Sequence, residues 1–341
     1  MSGRARSLTG SAGTALLASA AFAACGGPYS TFRPGGPEAA AVATISWWIS
    51  GFMVLVTLIM AGLVLVGALR RRGTLAEHLP VDAPDDKRWI IFGGIGVPVL
   101  VLTILFLLTV GTLRHIPSAT DDVDLDVEVI GHQWWWEIRY LDPDHERRFT
   151  TANELHIPVG AKVRVTLKSV DVIHSFWVPR LHGKLDLIPN HTNRLVLQAG
   201  EPGVYRGECA EYCGTQHANM RFLVIAEPPE QFAAWVNRQE QPAHTSTSPQ
   251  LVRGRHAFEE YACGLCHTIR GTRARGQVAP DLTHFGSRQT IAAGTLPNTR
   301  ARLQAWIVNA QSLKPGTRMP SLSTFDSETL NAITAYLASL Q

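Results

Sequence analysis

Two long uncharged stretches dominate the hydrophobic pattern of this chain. Residues 42–69 and residues 89–113 contain no Asp, Glu, Lys or Arg. A helix needs roughly 20 apolar residues to cross the hydrocarbon core of a bilayer, and both stretches are longer than that. A buried helix of a soluble protein is the weaker interpretation at such lengths. The pattern therefore predicts a transmembrane hairpin over residues 42–113.

The segment that joins the two spans sets the expected orientation. Residues 70–88 carry five basic side chains, which are Arg70, Arg71, Arg72, Lys87 and Arg88. Because positively charged connections stay on the cytoplasmic side, both ends of the hairpin should face outward. Everything after Arg114 is therefore expected on the periplasmic side of a bacterial inner membrane, and the chain is expected to be a multi-pass protein.

The hydrophobic pattern changes after the second span. In residues 114–239, short runs such as VDLDVEVIG, KVRVTLKSV and NRLVLQAG alternate apolar and polar residues. This pattern predicts a small all-β sandwich or barrel, which a short helix should close at residues 229–239. Residues 240–250 are polar and rich in Pro, Ser and Thr, as linkers are. Residues 251–341 should then form a compact, mostly helical domain.

The N-terminus has the pattern of a targeting segment. Residues 1–24 combine two arginines with a short apolar run of small residues, which predicts a signal peptide. Cys25 follows this run directly, as in bacterial lipoprotein cleavage sites, although Phe22 stands where those sites usually have leucine. Lipidation of Cys25 and an unused thiol after an ordinary signal peptide both remain open. Residues 25–41 are rich in Gly, Pro and Ala and are expected to be a flexible lead-in.

Composition agrees with a membrane-anchored protein of several domains. The 341 residues are 45% hydrophobic and only 17% charged, and the formal net charge is +3. The excess of apolar residues lies in the two predicted spans. So modest a net charge gives no reason to expect a nucleic-acid partner.

The motif CGLCH at residues 263–267 gives the strongest chemical signal. Cys-x-x-Cys-His is the attachment pattern of a c-type haem, and a histidine is the usual proximal ligand of haem iron. Cys263, Cys266 and His267 would fill these roles. A disulfide or half of a zinc site is the alternative, but no further cysteine pair follows to complete a zinc site.

The haem iron also needs a sixth ligand. Methionine opposite histidine is the usual pair in cytochromes c, and it raises the reduction potential. Met319, in KPGTRMPSL, is the only methionine after the haem motif and is predicted to be that ligand. The alternative is that Met319 packs in the core and that His256 or His284 binds the iron.

The segment RGECAEYCGTQHANM at residues 206–220 indicates a second metal centre. Cys213, His217 and Met220 have the spacing of a blue-copper loop, which takes a second histidine from a distant strand. A mononuclear site of this kind has no use for Cys209. A disulfide between Cys209 and Cys213 is chemically possible outside the cytoplasm, but it would leave His217 and Met220 unexplained.

The surplus cysteine favours a binuclear copper centre over a mononuclear one. Two thiolates on one loop can each bridge two copper ions, and thiolate and imidazole are both suitable copper ligands. The second histidine should be His174, which follows an apolar run in SVDVIHSFWVP. His156, His182 and His191 are poorer candidates because their neighbours are typical of surface loops.

Three segments together resemble the CuA domain of subunit II of haem-copper cytochrome c oxidases. They are GHQWWWEIRY, DVIHSFWVPRLHGKLDLIPN and GECAEYCGTQHANM. The hairpin ahead of a β domain matches as well, and a C-terminal cytochrome c points to the caa-type branch. The resemblance implies a multi-domain membrane protein with a two-helix transmembrane hairpin, a cupredoxin-like Greek-key β-barrel and an all-α c-type cytochrome domain. It covers about residues 40–341.

The resemblance also implies roles for single residues. The CuA ligands would be His174, Cys209, Cys213, His217, Met220 and the backbone carbonyl of Glu211. The Glu211 carboxylate would also reach a Mg²⁺ ion shared with subunit I, or else be an exposed loop acid. Trp134 would pass electrons into CuA, although Trp135 and Trp136 are adjacent candidates.

Several positions depart from the family pattern or match it without a role. Asn190 stands where the family usually has the glycine of a Pro-Gly turn. Ile91 stands where many members carry a glutamate at the entrance of a proton channel, which leaves open whether this chain contributes to proton uptake. Asp171 and Asp186 match polar positions of the family to which no role is assigned.

The function that the resemblance implies is electron input to a respiratory oxidase. An external donor such as cytochrome c would reduce haem c, and electrons would pass through CuA to subunit I of a complex with other oxidase subunits. There O₂ is reduced to water with proton translocation, so no catalytic residue is expected on this chain. A CuA-containing input subunit of a nitric oxide reductase and a membrane-anchored electron carrier without an oxidase partner remain alternatives.

Overall fold

The computed structural model describes residues 27–70, 86–114, 122–142, 146–244, 246–261 and 263–341. These residues belong to two units, one of residues 40–117 and one that contains the remainder. The predicted signal peptide, Cys25 and most of the connection between the spans lie outside the described residues.

Two helices carry the uncharged stretches. Helix α1 is Pro37–Arg70 and helix α2 is Lys87–Leu113, and both are long and apolar enough to cross a membrane. Helix α2 is π-helical over Ile90–Gly96 and α-helical over Val97–Leu113. The change coincides with Pro98, which has no backbone N–H to donate to the preceding turn.

The segment before α1 differs from its prediction as a flexible lead-in over residues 25–41. Helix α1 already begins at Pro37. Gly35 makes two backbone hydrogen bonds of 2.7 Å to the following β domain. A Cβ added at Gly36 would lie 2.2 Å from the carbonyl oxygen of Gln198. The glycines therefore permit a close backbone approach here, which their composition alone does not distinguish from flexibility.

Ten strands form the β domain. They are β1 Leu125–His132, β2 Trp135–Leu141, β3 Arg147–Ala152, β4 Glu154–Pro158, β5 Val163–Ser169, β6 His174–Trp177, β7 Leu185–Leu187, β8 Asn193–Leu197, β9 Gly203–Cys209 and β10 Arg221–Glu227. One sheet has the order β3-β2-β1-β5-β8 and the other β4-β10-β9-β6-β7. The pairs β1–β5 and β4–β10 are parallel, whereas the other pairs in these two sheets are antiparallel. This is the cupredoxin-like architecture that the resemblance implies.

The core of the β domain lies between the two sheets. Alternate residues Val163, Val165 and Leu167 of β5 are fully buried, as expected for a strand with one face toward the core. Trp136 from one sheet contacts Phe176 and Phe222 from the other, with ring centroids 6.2 and 5.1 Å apart. Helix α3, Pro229–Glu240, covers one end of this core.

The C-terminal domain has its own core. Its helices are α4 Pro249–Glu260, α5 Arg300–Leu313 and α6 Ser327–Ser339, and its short hairpin is β11 Thr290–Ile291 with β12 Leu296–Pro297. Asp326 caps α6 by accepting a hydrogen bond from the Thr329 amide at 2.8 Å. Helices α4 and α6 pack closely, because a Cβ at Gly254 would lie only 2.1 Å from the Ala332 carbonyl.

Candidate functional site

The loop between β9 and β10, residues 210–220, is the scaffold of the predicted copper centre and is called the copper loop below. Strand β9 ends at Cys209, whose N–H donates to the Met220 carbonyl at 2.9 Å and closes the base of the loop. Gly214 has φ +113°, a conformation that favours glycine, and it reverses the chain inside the loop. His217–Asn219 forms a single 3₁₀ turn. The loop therefore points several side chains inward over a short distance.

Five predicted ligands converge at this loop. The Sγ atoms of Cys209 and Cys213 are 3.7 Å apart, so they are not joined by a disulfide bond, which would measure about 2.05 Å. Nδ1 of His174 is 3.9 Å from the Cys209 sulfur. Nδ1 of His217 and Sδ of Met220 are 3.7 and 3.9 Å from the Cys213 sulfur. Two thiols, two imidazoles and a thioether form a donor set that fits copper.

Strand pairing brings His174 to this loop from a distant part of the sequence. It begins β6, which pairs with β9 so that Phe176 lies opposite Cys209. Its side chain is completely buried. A Cβ added at Gly131 of β1 would lie 2.6 Å from the ring of His174. Strand β1 therefore packs directly against the imidazole.

Glu211 contributes its backbone rather than its side chain to the cluster. Its carbonyl oxygen accepts a hydrogen bond from the Cys209 thiol at 3.2 Å. The cluster of His, Cys and acidic side chains that could hold a metal ion contains His174, Cys209 and Cys213, without the Glu211 carboxylate. Glu211 itself is half-buried.

Asp171 orients the buried histidine. Its carboxylate accepts a hydrogen bond from His174 Nε2 at 2.8 Å and another from the Gln133 amide at 2.7 Å. Burial opposes a charged imidazole, but the hydrogen bonds to Asp171 and Cys209 leave the pKa of His174 raised. Binding Nε2 in this way leaves Nδ1 facing the thiols.

The two thiols oppose each other's ionisation. Contact with Cys213 lowers the pKa of Cys209, and the same contact raises the pKa of Cys213. Two thiolates this close repel one another, so the pair ionises in separate steps. A cationic metal is what would let both carry charge together.

The tryptophan segment separates into three environments. Trp134 is at the two-residue tip of the β1–β2 hairpin, and its Nε1 donates to the Cys213 carbonyl at 2.9 Å. Trp135 stacks on His132 with centroids 4.2 Å apart, whereas Trp136 belongs to the core. Of the three, only Trp134 is hydrogen-bonded to the copper loop.

A cavity beside the copper loop contains the predicted haem-binding residues. Cys263, Cys266, His267 and Met319 all line an apolar cavity of about 240 Å³. Nδ1 of His267 donates to the Pro280 carbonyl at 2.8 Å, which leaves Nε2 available for iron. Burial lowers the pKa of His267 and so favours the neutral imidazole that binds metal.

Neither alternative histidine lines this cavity. The His256 side chain is 77% exposed on α4 and pairs with Glu260 at 3.2 Å. His284 is buried, but its Nε2 contacts the Gln241 carbonyl at 3.1 Å. The arrangement therefore favours Met319 as the sixth ligand.

Arg288 supports the fit of a haem to this cavity. Its side chain lines the cavity, and its Nε atom is buried and has no hydrogen-bond partner among the described residues. A buried cation with an unused donor suits a group that carries carboxylates. Two thiols, a histidine, a methionine and an arginine therefore line one cavity, and this set of side chains would suit a c-type haem.

Both soluble domains build the walls of this cavity. The β domain contributes Gln133, Trp134, Trp135 and Asn153, and the C-terminal domain contributes the remainder. Trp134 therefore contacts the copper loop on one side and the cavity on the other. A Cβ added at Gly316 would lie 3.6 Å from the Trp134 ring, so the chain leading to Met319 passes directly over the indole.

Two residues that make important contacts in the structure, Asp171 and Lys314, were not assigned a role from the sequence. Asp171 matched a family position without a role. Its placement three residues before His174 was the signal that could have indicated a contact with the histidine. Lys314 was not singled out, although it is the only lysine in residues 251–341 and is almost completely buried. Among the described residues, Asp186 makes backbone contacts only, by pairing with Ser175 and by accepting a hydrogen bond from Asn193 at its carbonyl.

Comparison with known proteins identifies relatives of both soluble domains. The family described as cytochrome c oxidase subunit II, periplasmic domain, matches residues 137–227, and the cytochrome c family matches residues 251–341. A cytochrome c oxidase subunit 2 from Alkalihalophilus pseudofirmus is 36% identical over 320 residues, which cover 90% of each chain. The protein of the same description from Bacillus subtilis is 31% identical over 294 residues, 80% of each.

A solved structure also matches part of the chain. The periplasmic domain of subunit II of cytochrome oxidase from Bradyrhizobium japonicum is 30% identical, with a TM-score of 0.33. The match covers 35% of this chain and 96% of that chain.

Proposed function

Because this chain belongs to the cytochrome c oxidase subunit II family, we propose that it is the electron-input subunit of a caa-type respiratory oxidase. A bound haem c and a binuclear CuA centre would supply two one-electron redox groups between an external donor, such as cytochrome c, and subunit I. Subunit I would reduce O₂ to water and couple that reaction to proton translocation.

The residues that would hold CuA are those that converge at the loop between β9 and β10. They are His174, Cys209, Cys213, His217, Met220 and the carbonyl of Glu211. Two sulfurs 3.7 Å apart, with one histidine beside each, suit a pair of metal ions better than one. The Glu211 carboxylate, outside this donor set, is proposed to reach a Mg²⁺ ion at the contact with subunit I.

The residues that would hold haem c line the cavity in the C-terminal domain. Cys263 and Cys266 would form the covalent attachments, and His267 and Met319 would be the protein ligands of the iron. The hydrogen bond from His267 to Pro280 fixes the direction of the ring. Haem attachment of this kind takes place outside the cytoplasm, which agrees with the proposed periplasmic location of both soluble domains.

One observation carries the proposal, namely the position of Trp134 between the two sites. Its indole N–H is hydrogen-bonded to Cys213 at 2.9 Å, and its ring lines the cavity that contains His267. Its side chain, hydrogen-bonded to the copper loop and lining the cavity, therefore offers a short path between haem and copper. We assign Trp134, rather than Trp135 or Trp136, as the electron-input aromatic of the CuA centre.

Metal analysis of the full chain, expressed without its partner subunits, tests the binuclear assignment. The ligand count predicts about two coppers and one iron per chain. Cys209→Ser should reduce the copper content to about one and remove the spectrum of a mixed-valence pair. A wild-type chain with one copper and an ordinary blue spectrum would contradict the assignment.

Purification of the complete complex tests the reaction. With cytochrome c as electron donor it should consume O₂. Nitric oxide reduction without oxygen consumption would favour the nitric oxide reductase alternative, and purification without a multi-span partner would favour a simple electron carrier. The relatives named cytochrome c oxidase subunit 2, which match 80–90% of the chain, support the oxidase.

A further inference from the structure

Lys314 is buried where the two soluble domains meet. It directly follows α5 and is only 2% exposed. A buried lysine is rare because its ammonium group is strongly hydrated in water. Lys314 belongs to neither proposed set of metal ligands, so its burial requires another explanation.

All three protons of the ammonium group find an acceptor. Nζ donates to the carbonyls of Trp134 at 2.8 Å, Asn219 at 2.7 Å and Ala292 at 2.9 Å. Lysine has three donors and no acceptor, so these bonds satisfy the group completely. The acceptors are the tip of the β1–β2 hairpin, the copper loop and the turn between β11 and β12. Two of them belong to the β domain, whereas the lysine and the third belong to the cytochrome domain.

Neighbouring hydrogen bonds join the same segments. Gln216 Nε2, in the copper loop, donates to the Pro315 carbonyl at 2.8 Å. The Arg221 amide, at the start of β10, donates to the Ala293 carbonyl at 3.0 Å. Lys314 therefore lies at the centre of a hydrogen-bonded contact between the copper loop and the loop that leads to Met319.

We propose that Lys314 is a positioning residue that locks the cytochrome domain onto the copper loop, so that electrons cross between haem and copper in one fixed arrangement. The proposal rests on the electron relay described above. Without such a lock, a tethered domain must find its docked position at the effective concentration that its linker sets. Losing the ammonium group would leave the carbonyl of buried Trp134 without its donor. The Asn219 and Ala292 carbonyls would keep only the Thr295 hydroxyl as a donor, at 3.4 and 2.7 Å. Both losses disfavour the docked arrangement.

The test compares Lys314→Met with Lys184→Met in the purified oxidase complex. Methionine is similar in length but has neither charge nor N–H donors, and Lys184 is an exposed lysine of the β domain that controls for net charge. Burial lowers the pKa of Lys314 to about 7, so the measurements belong at about pH 6, where the amine is mostly protonated.

Two measurements report on the lock. The first is hydrogen exchange of the Arg221 amide, which is bonded across the domains and does not require electron transfer. The second is the rate at which a photoreduced haem reduces copper. In Lys314→Met the exchange should rise and the transfer rate should fall, each by about tenfold or more, because charged hydrogen bonds are lost. The haem and copper spectra, and every property of Lys184→Met, should stay as in the wild type.

Unchanged exchange or an unchanged transfer rate in Lys314→Met with intact centres would overturn the proposal. A changed copper or haem spectrum would also overturn it, because Lys314 would then act on a centre and not on docking. If Lys314→Met does not assemble, Lys314→Gln, which keeps two N–H donors, decides by the same measurements with a smaller change. If the wild type shows no transfer between the centres, the relay itself fails, while the Arg221 amide still tests the lock.

Discussion

At the scale of residues, side chains that contact the proposed copper ligands determine how those ligands are oriented. Asp171 accepts hydrogen bonds from His174 and from the amides of Gln133 and Val172 at 2.7–2.8 Å. These bonds connect the histidine to the tip of the β1–β2 hairpin and fix which ring nitrogen faces the thiols. Asp171 therefore preorganises the site before any metal binds.

Asp171→Asn should weaken copper binding by about 10–100-fold, the usual effect of removing a hydrogen-bonded partner of a metal-binding histidine. Competition with a copper chelator measures the affinity. Asp186→Asn is the matched control, because the described contacts of Asp186 are made by its backbone, which pairs with Ser175 and accepts from Asn193. Equal affinity in Asp171→Asn and the wild type would show that His174 is oriented by other means.

The donor atoms of the copper site could be predicted from the sequence, but the residues that position the site and its neighbouring loops could not. The spacing of Cys213, His217 and Met220 is local, so it is visible without a fold. Lys314 is different, because two of its acceptors, Trp134 and Asn219, lie 180 and 95 residues away. Only the docking of two domains brings these carbonyls together, and no periodicity or motif encodes that contact.

At the scale of elements, the β1–β2 hairpin combines the Trp134 tip with a charged outer face. Glu137 accepts hydrogen bonds from His132 at 3.0 Å and from Arg139 at 2.6 Å. Burial opposes its ionisation, but the hydrogen bonds from His132 and Arg139 leave the pKa of Glu137 below its ordinary value. The charged network thus stabilises the strands that position Trp134.

Glu137→Gln should lower the free energy of unfolding by about 1–2 kcal/mol at neutral pH, since charged hydrogen bonds to a mostly buried carboxylate are lost. A carboxyl group with a depressed pKa stabilises the fold above its unfolded pKa, and that contribution disappears as pH falls through the folded pKa. Variant and wild type should therefore begin to converge as the pH falls below the ordinary glutamate pKa of about 4.3, and should meet below the lower pKa of folded Glu137.

Urea unfolding at several pH values measures this difference. Glu201→Gln, at an exposed position, should show no comparable change. A constant difference between Glu137→Gln and the wild type at every pH would contradict the electrostatic explanation.

The elements themselves were predictable to different degrees. The length of the two uncharged stretches indicated both long helices, and the alternation of apolar and polar residues indicated strands such as β5. The start of α1 at Pro37 was not predictable, because it depends on contacts of Gly35 and Gly36 with the β domain. Asn190 has φ +62°, so it adopts in its turn the left-handed conformation for which glycine is the usual residue, and which asparagine tolerates.

At the scale of the whole molecule, the two soluble domains have separate cores, and several hydrogen bonds cross the contact between them. One core contains Trp136 and ends with Val236 of α3, and the other begins with Phe258 of α4. No member of one core belongs to the other among the described residues. Each soluble domain therefore buries its own apolar surface, and hydrogen bonds such as those of Lys314 hold the two together.

A chain that ends after Glu240 should therefore fold and bind copper, because it keeps the complete first core and every proposed CuA ligand. Its thermal midpoint should stay within about 5 °C of the β-domain transition in the full chain, which corresponds to roughly 1 kcal/mol. Circular dichroism and copper analysis check this. A chain that ends after Ala234 is the control, because it lacks Trp235 and Val236 and should lose stability. If both truncations behave alike, α3 is not part of the β-domain core.

The shared walls of the haem cavity bear on the order of biogenesis. Because Gln133, Trp134, Trp135 and Asn153 of the β domain close one side, the docked arrangement restricts the route by which an enzyme could deliver haem to Cys263 and Cys266. Haem would therefore reach Cys263 more easily before the cytochrome domain docks than after, whereas Cys266 is exposed in the docked arrangement. The lock at Lys314 would then act as the final step of assembly, closing around a prosthetic group already in place.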